Sequence, residues 1–259
     1  MTVTTLKHRL QQGELVRVLG VGRVMHHSIL QMIGLSGGYH GLWFDQEHCG
    51  VSVPEIEIGT IAARAHGMDT FVRIAPTDYA TVTQCMEAGS SGIMAAQIES
   101  AEQAEEIVRW AKFYPRGARG LNSGGWDGDF GNMPLAEFCE KANRDSFVAI
   151  QIETAGAVED CEKIAAIDGV DLLFVGPSDL SQNLGVTGQL FHEKCISAID
   201  RVAAACRQHG KQWGAVCAGA DHADMLLEKG CKMISPTADV KLVQLGLAAV
   251  EQAYPKLFN

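Results

Sequence analysis

Short apolar runs alternate along the chain with longer segments in which apolar residues recur every three or four positions. The runs have the length of buried strands, and the longer segments have the spacing of amphipathic helices. The predicted strands are Val16–Val21, Gly41–Asp45, Thr70–Ile74, Gly92–Ala95, Phe147–Ile152, Asp171–Val175, Gln212–Val216 and Lys232–Ser235. The predicted helices are Val53–Ala65, Tyr79–Glu87, Ala101–Lys112, Ala157–Ala166, His192–Gln208, Ala220–Glu228 and Val240–Gln252.

Residues typical of helix ends support these boundaries. Thr77 or Asp78, Ser100 and Asp239 stand where helices should begin. Glycines stand where helices should stop, at Gly67, Gly89, Gly210 and Gly230.

Eight strands separated by helices predict an α/β fold with a parallel sheet, and their number favours a closed (β/α)₈ TIM barrel. The main rival is an open, doubly wound sheet. Its G-x-G-x-x-G fingerprint is missing, since Gly20-Val21-Gly22 is followed by Arg23 and no third glycine is in place. The 259 residues suit one barrel, and the sequence shows neither a repeat nor a linker, so residues 1–259 are predicted to form a single domain.

One long irregular segment, Arg116–Pro134, interrupts the alternation. A loop of this length in a compact domain is usually functional, often as a lid over a site. A poorly ordered insertion explains it equally well.

Composition and charge narrow the range of partners and locations expected for the protein. The formal net charge of −10 disfavours nucleic acid and anionic membranes as partners. The amino terminus lacks the apolar core of a signal peptide, and no apolar run approaches the ~20 residues that span a bilayer. The eight cysteines form no C-x-x-C pair, which is typical of reduced, mostly buried thiols. The sequence therefore predicts a cytoplasmic protein.

Polar residues cluster at the ends of the predicted strands, where barrels place their chemistry. In chain order they are Asp45-Gln46-Glu47-His48, Arg73, Gln97, Gln151 with Glu153, and Ser178-Asp179. A histidine, an arginine and several carboxylates are thus expected to meet at one barrel mouth.

Glu153 and Asp179 are candidate metal ligands. Glu153 could instead cap the helix near Ala157, and Asp179 could cap the helix that follows it. Because carboxylates occupy equivalent places after adjacent strands, a hard ion such as Mg²⁺ or Mn²⁺ is favoured. The turn Gly176-Pro177-Ser178-Asp179 offers backbone N–H groups that could bind a substrate carboxylate.

His48 and Arg73 are candidate catalytic residues. His48 could be a general base, a metal ligand or a satisfied surface histidine, and its position after a strand favours the base. Arg73 could pair with a neighbouring carboxylate or stabilise an enolate oxygen.

These motifs, taken together, resemble the HpcH/HpaI class II pyruvate aldolases, which include 4-hydroxy-2-oxoheptanedioate and 2-dehydro-3-deoxyglucarate aldolases. The resemblance covers almost the whole chain. It is carried in order by Phe44–His48, Val72-Arg73, Arg116–Gly120, Gln151–Thr154 and Val175–Ser181.

The resemblance implies a metal-dependent aldolase that makes or breaks a C–C bond between pyruvate, or a similar 2-oxo acid, and an aldehyde through a metal-stabilised enolate. It implies His48 as base, Arg73 as enolate stabiliser and Asp45 as an acid near the site. It also implies Glu153 and Asp179 as ligands of Mg²⁺, Mn²⁺ or Co²⁺. The remaining implied contacts are Gln151, Gly176 and Ser178 with pyruvate, and Arg119 near the second substrate. A homo-oligomer, specifically a hexamer, is expected.

The chain departs from the family pattern at four places. After His48, Cys49-Gly50 replaces the more usual small residue and proline. The family aspartate that tunes the base is matched by Glu87, with Asp78 as an alternative. Ala95-Ala96-Gln97 stands where the fourth strand usually ends with a proline, and Leu121–Gly131 is unusually rich in glycine. We therefore expect Gln97 and Leu121–Gly131 to shape the choice of aldehyde.

Three other functions fit the sequence less well. A Schiff-base aldolase needs a lysine at a strand's carboxyl end, but Lys211 and Lys232 lie at or before strand starts. An acyl-CoA lyase of the malyl- or citramalyl-CoA type would share the Arg/Glu/Asp site, but the acidic chain shows no basic patch for CoA phosphates. A catalytically silent barrel with a binding role would not need to keep base, cation and both ligands.

Overall fold

A computed structural model describes residues 3–258. Eight parallel strands close into a barrel, each pairing with the next and the last pairing with the first. They are β1 (Val16–Val21), β2 (Gly41–Asp45), β3 (Asp69–Ile74), β4 (Gly92–Ala95), β5 (Phe147–Ile152), β6 (Leu172–Val175), β7 (Gln212–Val216) and β8 (Met233–Ser235). The predicted (β/α)₈ barrel is confirmed, and every predicted strand is present to within one residue at either end.

The helices surround the strands and supply their connections. They are α1 (Leu6–Gln11), α2 (His27–Leu35), α3 (Gln46–Cys49), α4 (Val53–Arg64), α5 (Tyr79–Glu87), α6 (Ala101–Ala111), α7 (Leu135–Asp145), α8 (Ala155–Glu159), α9 (Cys161–Ala166), α10 (Pro177–Asn183), α11 (Glu193–Gln208), α12 (Ala220–Glu228), α13 (Asp239–Ala253) and α14 (Pro255–Phe258). The helix predicted at Ala157–Ala166 is two helices, because Thr154 begins α8 earlier and Asp160 separates it from α9.

Alternate residues of each strand fill the barrel interior, as the two-residue period of a strand requires. The inner cluster includes Trp43, Phe71, Phe147 and Phe174. Leu6 and Leu10 of α1 belong to the same cluster, and the backbone N–H of Leu6 donates to buried Asp69 at the start of β3. Helix α1 therefore closes the amino-terminal end of the barrel, and the other end is the mouth.

Two of the three predicted helix starts are confirmed. Asp78 and Ser100 accept hydrogen bonds from the first turns of α5 and α6. Asp239 differs from its prediction as the residue before a helix: Ala238 precedes α13, and the Asp239 carboxylate instead accepts from the backbone of residues 22–24.

The long irregular segment lies away from the mouth of its own barrel. It connects α6 to α7, which lead into β5, so it runs at the amino-terminal end, and it contains a 3₁₀ helix at Trp126–Gly131. There it borders a cavity of about 720 Å³ that is also lined by Asp69 and Ser146, at or just before strand starts. The structure does not place this segment as a lid over its own strand ends.

Two further findings concern the whole chain. Within residues 3–258, no helix has both the length and the apolar character needed to cross a bilayer. All eight cysteines are free thiols, and six of them are buried.

Candidate active site

The mouth residues continue the pattern that fills the barrel interior. Arg73 comes two positions after Phe71 on β3, and Asp45 comes two positions after Trp43 on β2. On β5, Gln151 follows Ala149, and Glu153 follows Gln151 at the same spacing. Because side chains of a strand alternate between its two faces, all four point into the barrel at its carboxyl end.

Asp45 and Arg73 form a buried, two-pronged ion pair. Nε and Nη2 of Arg73 donate to Oδ1 and Oδ2 of Asp45 over 3.1 and 2.7 Å. Burial by itself would raise the pKa of Asp45, but the hydrogen bonds and charge of Arg73 outweigh it and hold the pKa below its usual value. The same carboxylate accepts from the backbone N–H of His48 and so caps α3. One aspartate thus orients both the guanidinium and the helix that carries His48.

Trp43 supports Arg73 from below, a role that the sequence did not suggest. The Arg73 guanidinium lies 4.8 Å from the centre of the Trp43 ring, and the indole N–H donates to Ser235. The indole also occupies the space beside Gly20, where an added Cβ would lie 2.7 Å from a ring carbon. Gly20, which belongs to the incomplete G-x-G-x-x-G fingerprint, therefore makes room for Trp43.

His48 stands at the edge of the mouth, and 57% of its side chain is exposed. Its Nε2 lies 3.8 Å from Oε2 of Glu47, and the same oxygen lies 3.3 Å from Nε of Arg73. Burial raises the pKa of Glu47, although Arg73 opposes the shift. Glu47 thus lies between the candidate base and the candidate cation, a position to which the sequence attached no role.

Glu153 is fully buried, and three donors surround it. Its Oε1 accepts from the backbone and side-chain nitrogens of Gln97 over 2.9 and 3.1 Å, and its Oε2 accepts from Gln151. Burial raises the pKa of Glu153 to about 7; the backbone N–H of Gln97 opposes this shift, and nearby Asp179 adds to it. The alternative role as a helix cap is wrong, because Thr154 caps α8.

The turn after β6 is built closely against Glu153. A Cβ at Gly176 would lie 2.2 Å from Oε2 of Glu153 and 2.5 Å from Nε2 of Gln151, so a larger residue there would displace the ends of both side chains. Ser178 is exposed and Asp179 half-buried in the first turn of α10. No side-chain capping bond is formed at the start of α10, so the capping alternative for Asp179 is also wrong.

The carboxylates at the mouth fit a divalent cation. Glu47, Glu153 and Asp179 are close enough that the charge of Asp179 raises the pKa of each of the other two. Buried Gln151 Oε1 and Glu47 Oε2 have no hydrogen-bond partner. Oxygen ligands of this kind suit Mg²⁺ or Mn²⁺. Across residues 3–258, no group of three or more His, Cys, Asp or Glu side chains has metal-binding geometry.

Two predicted site residues lie at the other end of the barrel. Glu87 is the last residue of α5, before β4 begins, and it accepts a hydrogen bond from Asn122. Arg119 pairs with Asp127 at 2.5 Å and lies over the Phe113 ring. Helices of a barrel end opposite the mouth, so the structure does not bring Glu87 together with His48. Asp78, at the start of α5, is on the mouth side.

Comparison with known proteins identifies relatives over nearly the full length. A family model described as "HpcH/HpaI aldolase/citrate lyase" matches residues 26–244. A 4-hydroxy-2-oxovalerate aldolase of Novosphingobium aromaticivorans is 30% identical, with 92% of this chain and 89% of that protein covered. A hydroxypyruvate/pyruvate aldolase of Delftia acidovorans is 30% identical over 80% of this chain and 77% of its own.

Solved structures agree with the sequence comparison. The HpcH/HpaI aldolase from Desulfitobacterium hafniense DCB-2 superposes with a TM-score of 0.90 at 31% identity, covering 97% of both chains. A citrate lyase from Burkholderia xenovorans LB400 is more distant, with a TM-score of 0.63 and 17% identity over 86% of this chain and 73% of its own. That second likeness shows the fold alone.

Proposed function

The chain belongs to the HpcH/HpaI aldolase/citrate lyase family, and from this premise we propose that it is a class II pyruvate aldolase. The reaction joins a 2-oxo acid such as pyruvate to an aldehyde, or cleaves the product. The observation that carries the proposal is the arrangement at the mouth. There the buried Arg73–Asp45 pair, the exposed His48 and the carboxylates of Glu153 and Asp179 lie at or just after the carboxyl ends of β2, β3, β5 and β6.

In this proposal His48 removes a proton from the carbon next to the pyruvate carbonyl. Its exposure at the mouth leaves it accessible to substrate, and histidine suits proton transfer near neutral pH. Arg73 faces the oxygen that becomes negative, held in place by Asp45 and by the ring of Trp43. The substrate carboxylate binds to Gln151 and to the backbone of Gly176 and Ser178 at the start of α10.

Glu153 and Asp179 would hold the divalent cation, with Mg²⁺, Mn²⁺ and Co²⁺ as candidates. When bound, the cation would supply Lewis acidity toward the substrate carbonyl. The alternative source of such activation, an imine-forming lysine, is missing where it would be needed. Lys211 and Lys232 donate to backbone carbonyls at the amino-terminal end, and no lysine in the described part of the chain stands at a strand's carboxyl end.

We also propose that copies of the chain associate, since the family resemblance implies a homo-oligomer, specifically a hexamer. The support is α13, which exposes the large apolar residues Val240, Val243, Leu247 and Val250. Their spacing of three and four places them in one stripe along the helix. A contiguous apolar stripe on a soluble surface usually marks an interface, and a second copy of the chain is the occupant we infer.

The proposed function is tested with the metal-treated enzyme. NMR should show exchange of the pyruvate methyl protons with deuterated solvent in the presence of Mg²⁺, abolition of that exchange by EDTA, and its return on adding excess metal. Asp179→Asn should lose metal binding and exchange together. Borohydride added with pyruvate should leave the enzyme unlabelled, as judged by mass spectrometry. Full exchange in excess chelator, or a pyruvyl-lysine adduct, would contradict the proposal.

A further inference from the structure

The loop between β1 and α2 is held rigidly beside the mouth. Oδ2 of Asp239 accepts from the backbone N–H groups of Gly22, Arg23 and Val24 over 2.8, 2.8 and 2.6 Å. Three convergent bonds to one buried charged oxygen fix the backbone of this short loop. Gly22 also packs against α3, because an added Cβ there would lie 2.6 Å from Sγ of Cys49.

Arg23 is the residue that this fixed loop presents. Its Nη2 donates over 2.9 Å to the backbone carbonyl of His48, which places the guanidinium against the backbone of the residue proposed as the base. The residue is exposed. Among residues 3–258, no carboxylate comes within ion-pair distance of it, and its Nε and Nη1 donate to no other group.

The two arginines at the mouth therefore differ in what they can bind. The charge of Arg73 is matched by Asp45, with Glu47 close by. Arg23 is tethered to a neutral carbonyl, so its full positive charge and its planar row of donors remain available to a ligand. A guanidinium in this state recognises carboxylates, often with two parallel hydrogen bonds.

We propose that Arg23 binds a carboxylate on the second substrate, so that the aldehyde this enzyme prefers carries an acidic group. The inference rests on the proposed aldolase function and names the substrate class of its second half. Arg23 acts as a specificity-determining residue beside His48. The Asp239 contacts hold the loop in its binding position before the substrate arrives, which lowers the entropic cost of binding.

The test compares two aldehydes that differ only in charge. Succinic semialdehyde and its methyl ester are offered to the full-length enzyme with saturating pyruvate and Mn²⁺, and kcat/KM is measured for each. The wild type should favour the acid by about tenfold or more, as one charge-assisted contact can supply. Arg23→Gln should reduce that ratio about tenfold, Arg23→Lys should retain part of it, and Arg23→Glu should favour the ester.

A matched control and a second variant separate specificity from folding. Arg144→Gln removes an exposed arginine of α7 that, within residues 3–258, pairs only with its neighbour Asp145, and it should leave the ratio unchanged. Asp239→Ala should lower the ratio in the same direction as Arg23→Gln, because the loop is no longer held.

The outcomes are distinguishable from failure of the aldolase proposal. If Arg23→Gln lowers kcat/KM for acid and ester by one common factor, Arg23 merely supports His48 and the inference is overturned. A wild-type preference for the ester would overturn it as well. A wild-type enzyme that exchanges no pyruvate protons with any metal would instead contradict the proposed function itself.

Discussion

At the mouth, a small number of side chains each serve two purposes. Asp45 pairs with Arg73 and caps the helix that carries His48. Glu153 accepts from Gln97 and Gln151 while occupying the position expected of a metal ligand. Such sharing makes the geometry stiff, because displacing one group removes support from two others. Substitutions of these residues should lower the catalytic rate more than their effect on the free energy of unfolding would predict.

The roles of His48 and Arg73 can be tested separately. His48→Ala should lower the rate of pyruvate proton exchange by well over ~10²-fold, since no other side chain is proposed to accept that proton. Arg73→Lys should also lose most of the pyruvate proton exchange, because an ammonium group cannot reproduce the two-pronged contact of the guanidinium with Asp45. His8→Ala, at an exposed histidine of α1, is the control. Exchange at the wild-type rate in His48→Ala would remove the assignment of the base.

The Asp45–Arg73 pair should also make stability depend on pH. The pKa of Asp45 is lowered in the folded protein, so the pair stabilises the fold above the unfolded pKa of about 4, and this stabilisation is lost as the pH falls through the folded pKa. Asp45→Asn should lower the melting temperature at pH 7 by about 2 °C or more, and the gap should narrow toward pH 3.5.

Differential scanning fluorimetry of both proteins across that range measures the effect. Asp145→Asn, which removes a more exposed pair with Arg144, serves as the control and should change little. An equal gap between wild type and Asp45→Asn at pH 7 and pH 3.5 would show that charge is not the cause.

At the scale of elements, the residues at the ends of the strands contribute more to the candidate site than the residues in the middle of the strands. Gln97 follows β4 with a φ of 51°, a left-handed conformation that is uncommon outside glycine. In that conformation its backbone N–H reaches Glu153. To the expectation that Gln97 shapes aldehyde choice we therefore add a second prediction, that Gln97 orients the proposed metal ligand Glu153.

Two substitutions distinguish these tasks. Gln97→Pro removes the backbone N–H and cannot adopt a positive φ, so we expect Mn²⁺ affinity to fall about tenfold or more. Gln97→Gly keeps the N–H and suits the backbone, so its affinity should stay within a few-fold of wild type. Isothermal titration with Mn²⁺ measures both. Equal affinities in the two variants would show that the backbone contact does not support metal binding.

At the scale of the whole molecule, α13 is the element least accounted for by the single chain. It is the helix that follows β8, yet only Leu242 among its large apolar residues packs against the core, and the other five are exposed. Val243→Asp combined with Leu247→Asp should therefore dissociate the proposed assembly, since burying two carboxylates in an apolar interface is costly. Light scattering coupled to size exclusion gives the mass. Gln252→Asp, on the opposite side of α13, should leave it unchanged, and an unchanged mass in the double variant would place the interface elsewhere.

The fold and most of the mouth were predictable from sequence because both follow from local periodicity. The two-residue period of strands and the period of three to four residues of helices are visible within short stretches of sequence. Helix caps such as Asp78 and Ser100 also depend only on neighbouring residues. Parallel barrel strands all end at one mouth, so the residues after them could be brought together without knowing any distance. The metal-ligand, base and cation assignments stay predictions that the geometry supports.

Only the tertiary structure decided which residues meet across the chain. Glu87 was paired with His48 by resemblance, but it lies at the far end of a helix, and a helix of this length separates its ends by more than a side chain can span. Three other contacts were not predicted from the sequence. They are Trp43 with Arg73, Glu47 with both Arg73 and His48, and Asp239 of α13 with the backbone of the β1–α2 loop. Their partners are tens to hundreds of residues away, or depend on how a side chain turns, and periodicity carries no information about either.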